Sequence, residues 1–358
     1  MDRNNNFDAL RLAAATSVIF SHAFLLSEGR QDNEPLMRLS GGQTILGVVG
    51  VFVFFVISGF LVTQSFEATG SPLRFLAKRA LRIYPGLAAC VLILTFGLGA
   101  AVTTLPPGAY LAGAGTYDFL VSNLLMNVAH NALPGVRFTG FDIGTIVDGP
   151  LWSLPCEVVM YLMVLILGSL GLLRLAVLVP LLALGLICIV LDTAQGQYFI
   201  GDFLGSVAWL LGFFVAGMIL YKLRRTRLFD RRVALMALAG LVASVPLRQF
   251  ILLFPLFGAY LVIYLALTPG LPAMRAARFG DLSYGLYIYG WPVEQALLWT
   301  NDGHLAWWQL FPMALTVTAV IAFLSWHLIE KPALALKPRR AEEPVAAGAP
   351  LDRLRQSR

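Results

Sequence analysis

The chain is short of charge. Only 13% of its 358 residues are Asp, Glu, Lys or Arg, 58% are hydrophobic, and the mean hydropathy is +0.76. A soluble domain carries about a quarter charged residues, so an ordinary globular protein is excluded and a polytopic membrane protein is left. Cysteine is scarce as well. Cys90, Cys156 and Cys188 all fall in apolar runs without zinc or disulfide-framework spacing, and read as small core residues. There is no phosphate-binding Gly-rich loop, no zinc-type His-Glu pattern and no nucleophile elbow, which disfavours an ATPase, a metalloprotease or a serine hydrolase. No internal repeat is evident, against transporter folds built from repeated halves. A cleaved signal peptide fits poorly too: the leading residues lack clear positive charge, Arg11 interrupts the apolar run, and no small-x-small site follows.

What is present is apolar length. Windows able to cross a bilayer, roughly 17–25 residues, fall near 8–27, 45–67, 83–103, 151–173, 175–191, 203–221, 233–247, 250–268, 282–299 and 307–329. They predict an all-α polytopic membrane helix bundle of about ten transmembrane helices over residues 1–332. With the N-terminus inside, only Arg30, Arg38, Arg137 and Arg248 of the 26 Lys and Arg lie outside. The positive-inside bias therefore predicts that both termini are cytoplasmic. The net charge of +6 is then mostly topology, not a nucleic-acid surface. Residues 104–150 form an outer loop rich in Gly, Pro and polar groups, with a stretch at 117–129 apolar enough to dip into the membrane. The Ala/Pro-rich, charged segment 333–358 reads as a disordered cytoplasmic tail.

Polar residues inside these windows mark the chemistry. Arg11 and His22 interrupt the first one, and ionisable groups at membrane depth are costly and usually functional. Eleven helical residues end only about 20° past three full turns, so both side chains share a face about 16 Å apart. An interfacial Arg and a locally satisfied His fit the pair alone as well. In "RFLAKRALRIYP" (74–85), Arg74, Lys78, Arg79 and Arg82 form a short cytoplasmic cluster, followed by Pro85 as a turn or kink near the next span. Positive-inside decoration accounts for the cluster. Yet Arg79 and Arg82 are neighbours on one helix face, and guanidinium pairs suit phosphate.

In "GPLWSLPCEVVMYL" (149–162), Glu157 lies about 10 Å below the outer end of its span and His22 about 8 Å below its own. A buried carboxylate needs a partner, and the matching depth makes His22 the expected one. Trp152 suits the outer interface, and Pro155 would loosen the helix. Ser58 and Gly59 in "FFVISGFLV" allow close helix packing or leave room for a thin ligand. "GDLSYGLYIYGWPVEQ" (280–295) carries a polar stripe too dense for a lipid face: Asp281, Ser283, Tyr284, Tyr287, Tyr289, Pro292 and Glu294. Glu330 in "WHLIEKPAL" (326–334) can pair with the basic cluster.

Read together, these motifs resemble the membrane acyltransferase-3 family of integral-membrane carbohydrate O-acyltransferases. The resemblance runs in order from "FDALR" at residue 7 to "EKPA" at 330, through the Arg11–His22 and Arg79–Arg82 spacings, "FFVISGFL", "LWSLPCE" and "GDLSYGLYI". One departure stands out: many members carry a His shortly before the Pro of the "SYGLYIYGWPV" block, where this chain has Gly290 or Trp291. The resemblance implies a multi-pass protein of the bacterial inner membrane. It implies a cytoplasmic acyl-CoA donor, most commonly acetyl-CoA, and a carbohydrate or glycolipid acceptor outside, with no metal. Arg11, Lys78, Arg79, Arg82 and Ser58 would serve the donor. His22 would act as general base or transient acyl carrier, oriented by Glu157. Trp152, Ser153, Asp281, Ser283, Tyr284 and Tyr287 would face the substrate. Asp118, Asp142 and Asp148 in the outer loop are candidate sugar contacts, or simply a solvated loop. The chain lacks the extra hydrolase-like domain some members append, so any second partner would be a separate periplasmic protein; a homo-oligomer is the other arrangement. The alternative reading is a transporter or flippase for a lipid-linked sugar.

Overall fold

The computed structural model describes residues 5–127, 129–194, 203–269 and 280–337, and among them there are helices, turns and loops but no strand. Ten principal helices match the ten apolar windows. They are α1 (Phe7–Glu28), α2 (Leu46–Thr69), α3 (Pro72–Val102), α4 (Pro150–Ser169), α5 (Leu175–Ala194), α6 (Phe203–Leu223), α7 (Arg231–Ser244), α8 (Phe250–Leu267), α9 (Ser283–Thr300) and α10 (Trp307–Ala335). Eight of them, all but α7 and α9, are long and apolar enough to cross a membrane. The 14 residues of α7 make about 21 Å of helix against a hydrocarbon core of about 30 Å. The 18 residues of α9 suffice in length, but Ser283, Glu294 and Gln295 are buried within it.

Local chemistry sets the turns. α2 stops at Gly70, which adopts φ 64°, a left-handed conformation that costs glycine least. Two residues later Pro72 opens α3, with the Ser71 side chain accepting from Arg74 N, as N-terminal caps do. The basic stretch 74–82 therefore lies in the first turns of α3 itself, with Arg79 and Arg82 on one helix as their spacing implies. Pro85 lies inside that helix rather than before it, a position membrane helices tolerate. Pro155 likewise falls in the first turns of α4, where a missing N–H breaks little.

α1 runs antiparallel to α8. At one end of the bundle Asn6 donates to Leu265 O and Thr268 O, tying the start of α1 to the end of α8. At the other, Gln43 donates to Val245 O and accepts from Phe250 N, tying the α1–α2 connection to the start of α8. α6 packs between α2 and α5. A methyl on Gly59 would fall 1.9 Å from Phe214 O, and one on Gly217 would fall 2.1 Å from Val56 O. Glycine at these crossings lets the α2 and α6 backbones touch, as small residues do in membrane bundles. Phe52 and Phe213 stack across the same contact at 3.9 Å. On the other side, α1 packs on α2, α9 and α10.

The 104–150 connection is not featureless. It contains short helices at Pro107–Ala112 and Ala114–Leu124, the second packed on α3. Tyr110 donates to Thr95 O of α3 at 2.7 Å. α10 continues to Ala335, into the stretch expected as tail. Arg3, Arg275, Arg278 and residues 338–358 lie outside the described residues.

Candidate active site

A narrow cavity of about 110 Å³ runs between α1, α2, α3, α4 and α9. Its walls gather residues from five separate motifs. Arg11, Arg79 and Arg82 line it towards the end of the bundle where α1 begins, together with Ser283 and Tyr284. Ser58, Glu157 and Tyr161 stand further along, and Ser153 and Tyr287 beyond them. From Ser153 to Tyr161 the lining covers about 12 Å of α4. The rest is mostly Val, Leu, Ile and Phe, so polar groups form a broken track through an apolar slot.

At the first end, Asp281 organises the cations. Its Oδ2 accepts from Arg82 at 2.6 Å and from Arg11 at 3.2 Å, while Oδ1 accepts from the Ser283 hydroxyl at 2.6 Å. Burial alone would favour the neutral acid, but Arg82, Arg11 and Ser283 together hold the Asp281 carboxyl well below the usual carboxylate range. Arg11 also binds Asp8 at 2.8 Å. Arg82 reaches Glu330 at 3.9 Å, and Glu330 accepts from Ser325 at 2.9 Å. Arg79 differs. Among the described residues it pairs with no carboxylate; it holds a long contact to Ser65 Oγ (3.4 Å), lies 5.7 Å from the Tyr161 ring centre, and its Nε has no partner. Partial burial and the nearby Arg79, Arg82 and Lys78 lower the pKa of Lys337, just past α10. This pole is thus richer in positive charge than its carboxylates balance, as a polyanion site requires.

In the middle, Glu157 Oε1 accepts from Ser58 Oγ at 2.9 Å and from Tyr161 OH at 2.5 Å. Gly59 packs on α6 and Ser58 faces the cavity. Further on, the Ser153 and Tyr287 hydroxyls bond at 2.6 Å and Tyr287 donates to Pro150 O at 3.1 Å.

Arg11 and His22 do share a face of α1, and both turn to α9. The expected His22–Glu157 pair is absent. The carboxylate beside His22 is Glu294, with 3.8 Å between Nδ1 and Oε2, and Trp291 stands edge-on to the ring at 4.8 Å. α4 packs on α2, α3 and α6, whereas α1 packs on α2, α9 and α10. His22 itself is off the cavity wall, 17% exposed. It lies about 22 Å along α1, level with Ser153 at about 24 Å from the far end of α4.

Other expected contacts also sit off the wall. Lys78 donates to Thr69 Oγ1 at 2.9 Å, and Asp281 acts behind its two arginines. Trp152 ends the short turn Pro150–Trp152, partly buried against the core. Of the loop acids, Asp118 and Asp142 are exposed but Asp148 is buried at 4%, accepting from the Cys90 thiol at 3.8 Å. That burial removes Asp148 from the sugar contacts and raises its pKa well above the usual carboxylate value. Tyr161 was missed, although its i+4 spacing from Glu157 was visible. Glu294 was visible only as part of a polar stripe.

Comparison with known proteins covers most of this architecture. The acyltransferase-3 family, described as an acyltransferase domain, matches residues 4–327. An "O-acetyl transferase" of Shigella phage Sf6 is 27% identical over 92% of this chain and 96% of its own. "Nodulation protein 10" of Rhizobium leguminosarum bv. viciae is 29% identical over 93% and 94%. "Acyltransferase MdmB" of Streptomyces mycarofaciens is 31% identical over 33% of this chain and 28% of its own. No solved structure matches.

Proposed function

Because the chain belongs to the acyltransferase-3 family and is thus a membrane acyltransferase, we propose that it moves an acyl group, acetyl first, from cytoplasmic acyl-CoA to a hydroxyl of an extracytoplasmic carbohydrate. The observation that carries the reading is the slot that joins a cationic pole to a polar track deep in an apolar bundle. Arg79, with Lys78 and Lys337 nearby, takes the nucleotide phosphates. Arg82 and Arg11, tied to Asp281, give that pole its shape. The narrow slot past Ser58 and Glu157 suits an extended pantetheine arm, whose amides can use those side chains. The first residues of α1 lie at the cytoplasmic side in this reading, which the Lys/Arg distribution supports.

His22 is the base. Its ring nitrogen takes the proton of the acceptor hydroxyl as that oxygen attacks the thioester carbonyl carbon. The new C–O bond forms, the C–S bond breaks, and the imidazolium returns the proton to the departing thiolate. A transient acyl-imidazole is the other route through the same residue. Trapping labelled acyl on His22 without acceptor would establish it. Glu157, not His22, lies on the cavity wall, and both its hydrogen bonds land on Oε1. That favours a second reading in which Glu157 is the base.

The test is mass spectrometry of the surface glycans of a producing cell with the wild-type chain, His22→Ala and Glu157→Gln. The first reading expects the mass increment of an acetyl group on the glycan, lost in His22→Ala. An acetylated glycan with His22→Ala, and none with Glu157→Gln, selects the second.

A further inference from the structure

We propose that Glu294 is the positioning residue of His22. The inference rests on the reading of His22 as the base. Glu294 is 0% exposed, and neither carboxylate oxygen has a hydrogen-bond partner among the described residues. The Nδ1 of His22, 3.8 Å away, is equally without one. Two buried polar groups left unpaired in an apolar bundle are costly, and each is the other's remedy. Elsewhere the same structure satisfies a fully buried carboxylate: Glu34 accepts from Ser21, Met37 N and Leu46 N. The orphaned Glu294 is therefore not the general habit of this fold. The separation exceeds a hydrogen bond by less than about 1 Å, the looseness usual for catalytic pairs without substrate.

The surroundings fix both partners. Trp291, three residues before Glu294 and on the same face of α9, stands at 84° to the imidazole. Its indole N–H donates to Ile146 O at 3.0 Å, and Gln295 donates to the same oxygen at 3.1 Å, so α9 is pinned to the 143–146 turn. Ser21, next to His22, is held by Glu34 and by Gly47 N. A side chain on Gly290 would meet Ile19 Cγ1 at 2.7 Å, so its absence lets α9 lie against α1 at this level. A carboxylate accepting from Nδ1–H fixes the tautomer with its lone pair on Nε2. It then stabilises the imidazolium once Nε2 has taken the hydroxyl proton. Glu294 does this through His22 and touches no substrate.

The test uses the purified full-length protein, with labelled acetyl-CoA as donor and a glycan extracted from its host as acceptor. Glu294→Gln should lower kcat by about 100-fold or more, while donor KM and donor binding change less than about twofold. Glu294→Asp should recover at least about a tenth of wild-type kcat. Loss of donor binding in step with kcat in both variants would make Glu294 a packing residue and overturn the inference. A Glu294→Gln kcat within about threefold of wild type, with His22→Ala inactive, overturns it too and leaves the reading of His22 standing. An active His22→Ala would remove that reading itself.

Discussion

The two arginines of the Arg79–Arg82 pair do different work, and alanine substitution should separate them. Arg82 lies 2.6 Å from Asp281 and 3.9 Å from Glu330, which is 2% exposed. Removing one partner of a buried ion pair costs about 3–5 kcal/mol. Here Arg11 still reaches Asp281 at 3.2 Å and Arg82 is 19% exposed, so Arg82→Ala should cost about 3 kcal/mol, the low end of that range. Arg79 gives up only a long bond to Ser65 and a loose contact over Tyr161, worth about 0.5–1 kcal/mol. In the proposed function its value lies in the donor. A charge-assisted bond to phosphate, about 1.5–3 kcal/mol, corresponds to roughly 10–150-fold in donor KM. Arg79→Ala should thus raise KM for acyl-CoA by that factor at nearly unchanged kcat and thermal midpoint. Arg82→Ala should lower the midpoint of the detergent-solubilised protein clearly. The reasoning fails if Arg79→Ala leaves donor KM within about twofold, or if it destabilises as much as Arg82→Ala.

Four further outcomes follow from the same geometry. Gly59→Ala forces a methyl to 1.9 Å from Phe214 O and should cost about 1–3 kcal/mol, read as a lower thermal midpoint. Ser58→Ala, one residue away but facing the cavity, should leave that midpoint nearly unchanged. Asp148 has its pKa raised by burial, so the native protein loses stability as pH rises from about 4 through the raised value. Asp148→Asn has no such loss: it should match the wild type near pH 4 and melt higher at pH 8, and equal melting at both would contradict the buried acid. Lys337→Ala relieves crowding by Arg79, Arg82 and Lys78 and should raise donor KM without lowering stability; unchanged KM would take Lys337 out of the phosphate site.

The fold was legible because its signal is one-dimensional. Apolar length marks ten windows, and ten helices occupy them. The helix-face reading of Arg79 and Arg82 holds because Pro72 and Ser71 start a helix directly through the basic stretch 74–82. Counting residues along α1 and α4 matches His22 with Glu157 in depth, but no count along one helix says which neighbour it faces. Glu294 lies 272 positions from His22 in the sequence, and that contact exists only once α1 and α9 pack. Asp148 illustrates the converse: its loop composition suggested solvent, and the fold put it against Cys90.

The most direct measurement is vectorial acetyl transfer by the purified protein in sealed proteoliposomes, with the N-terminal side facing out. Labelled acetyl-CoA is added outside and a carbohydrate acceptor is enclosed. The account predicts label on hydroxyls of the enclosed carbohydrate, absent with His22→Ala. Label that stays on the donor with wild-type protein, or that appears equally with His22→Ala, would contradict it.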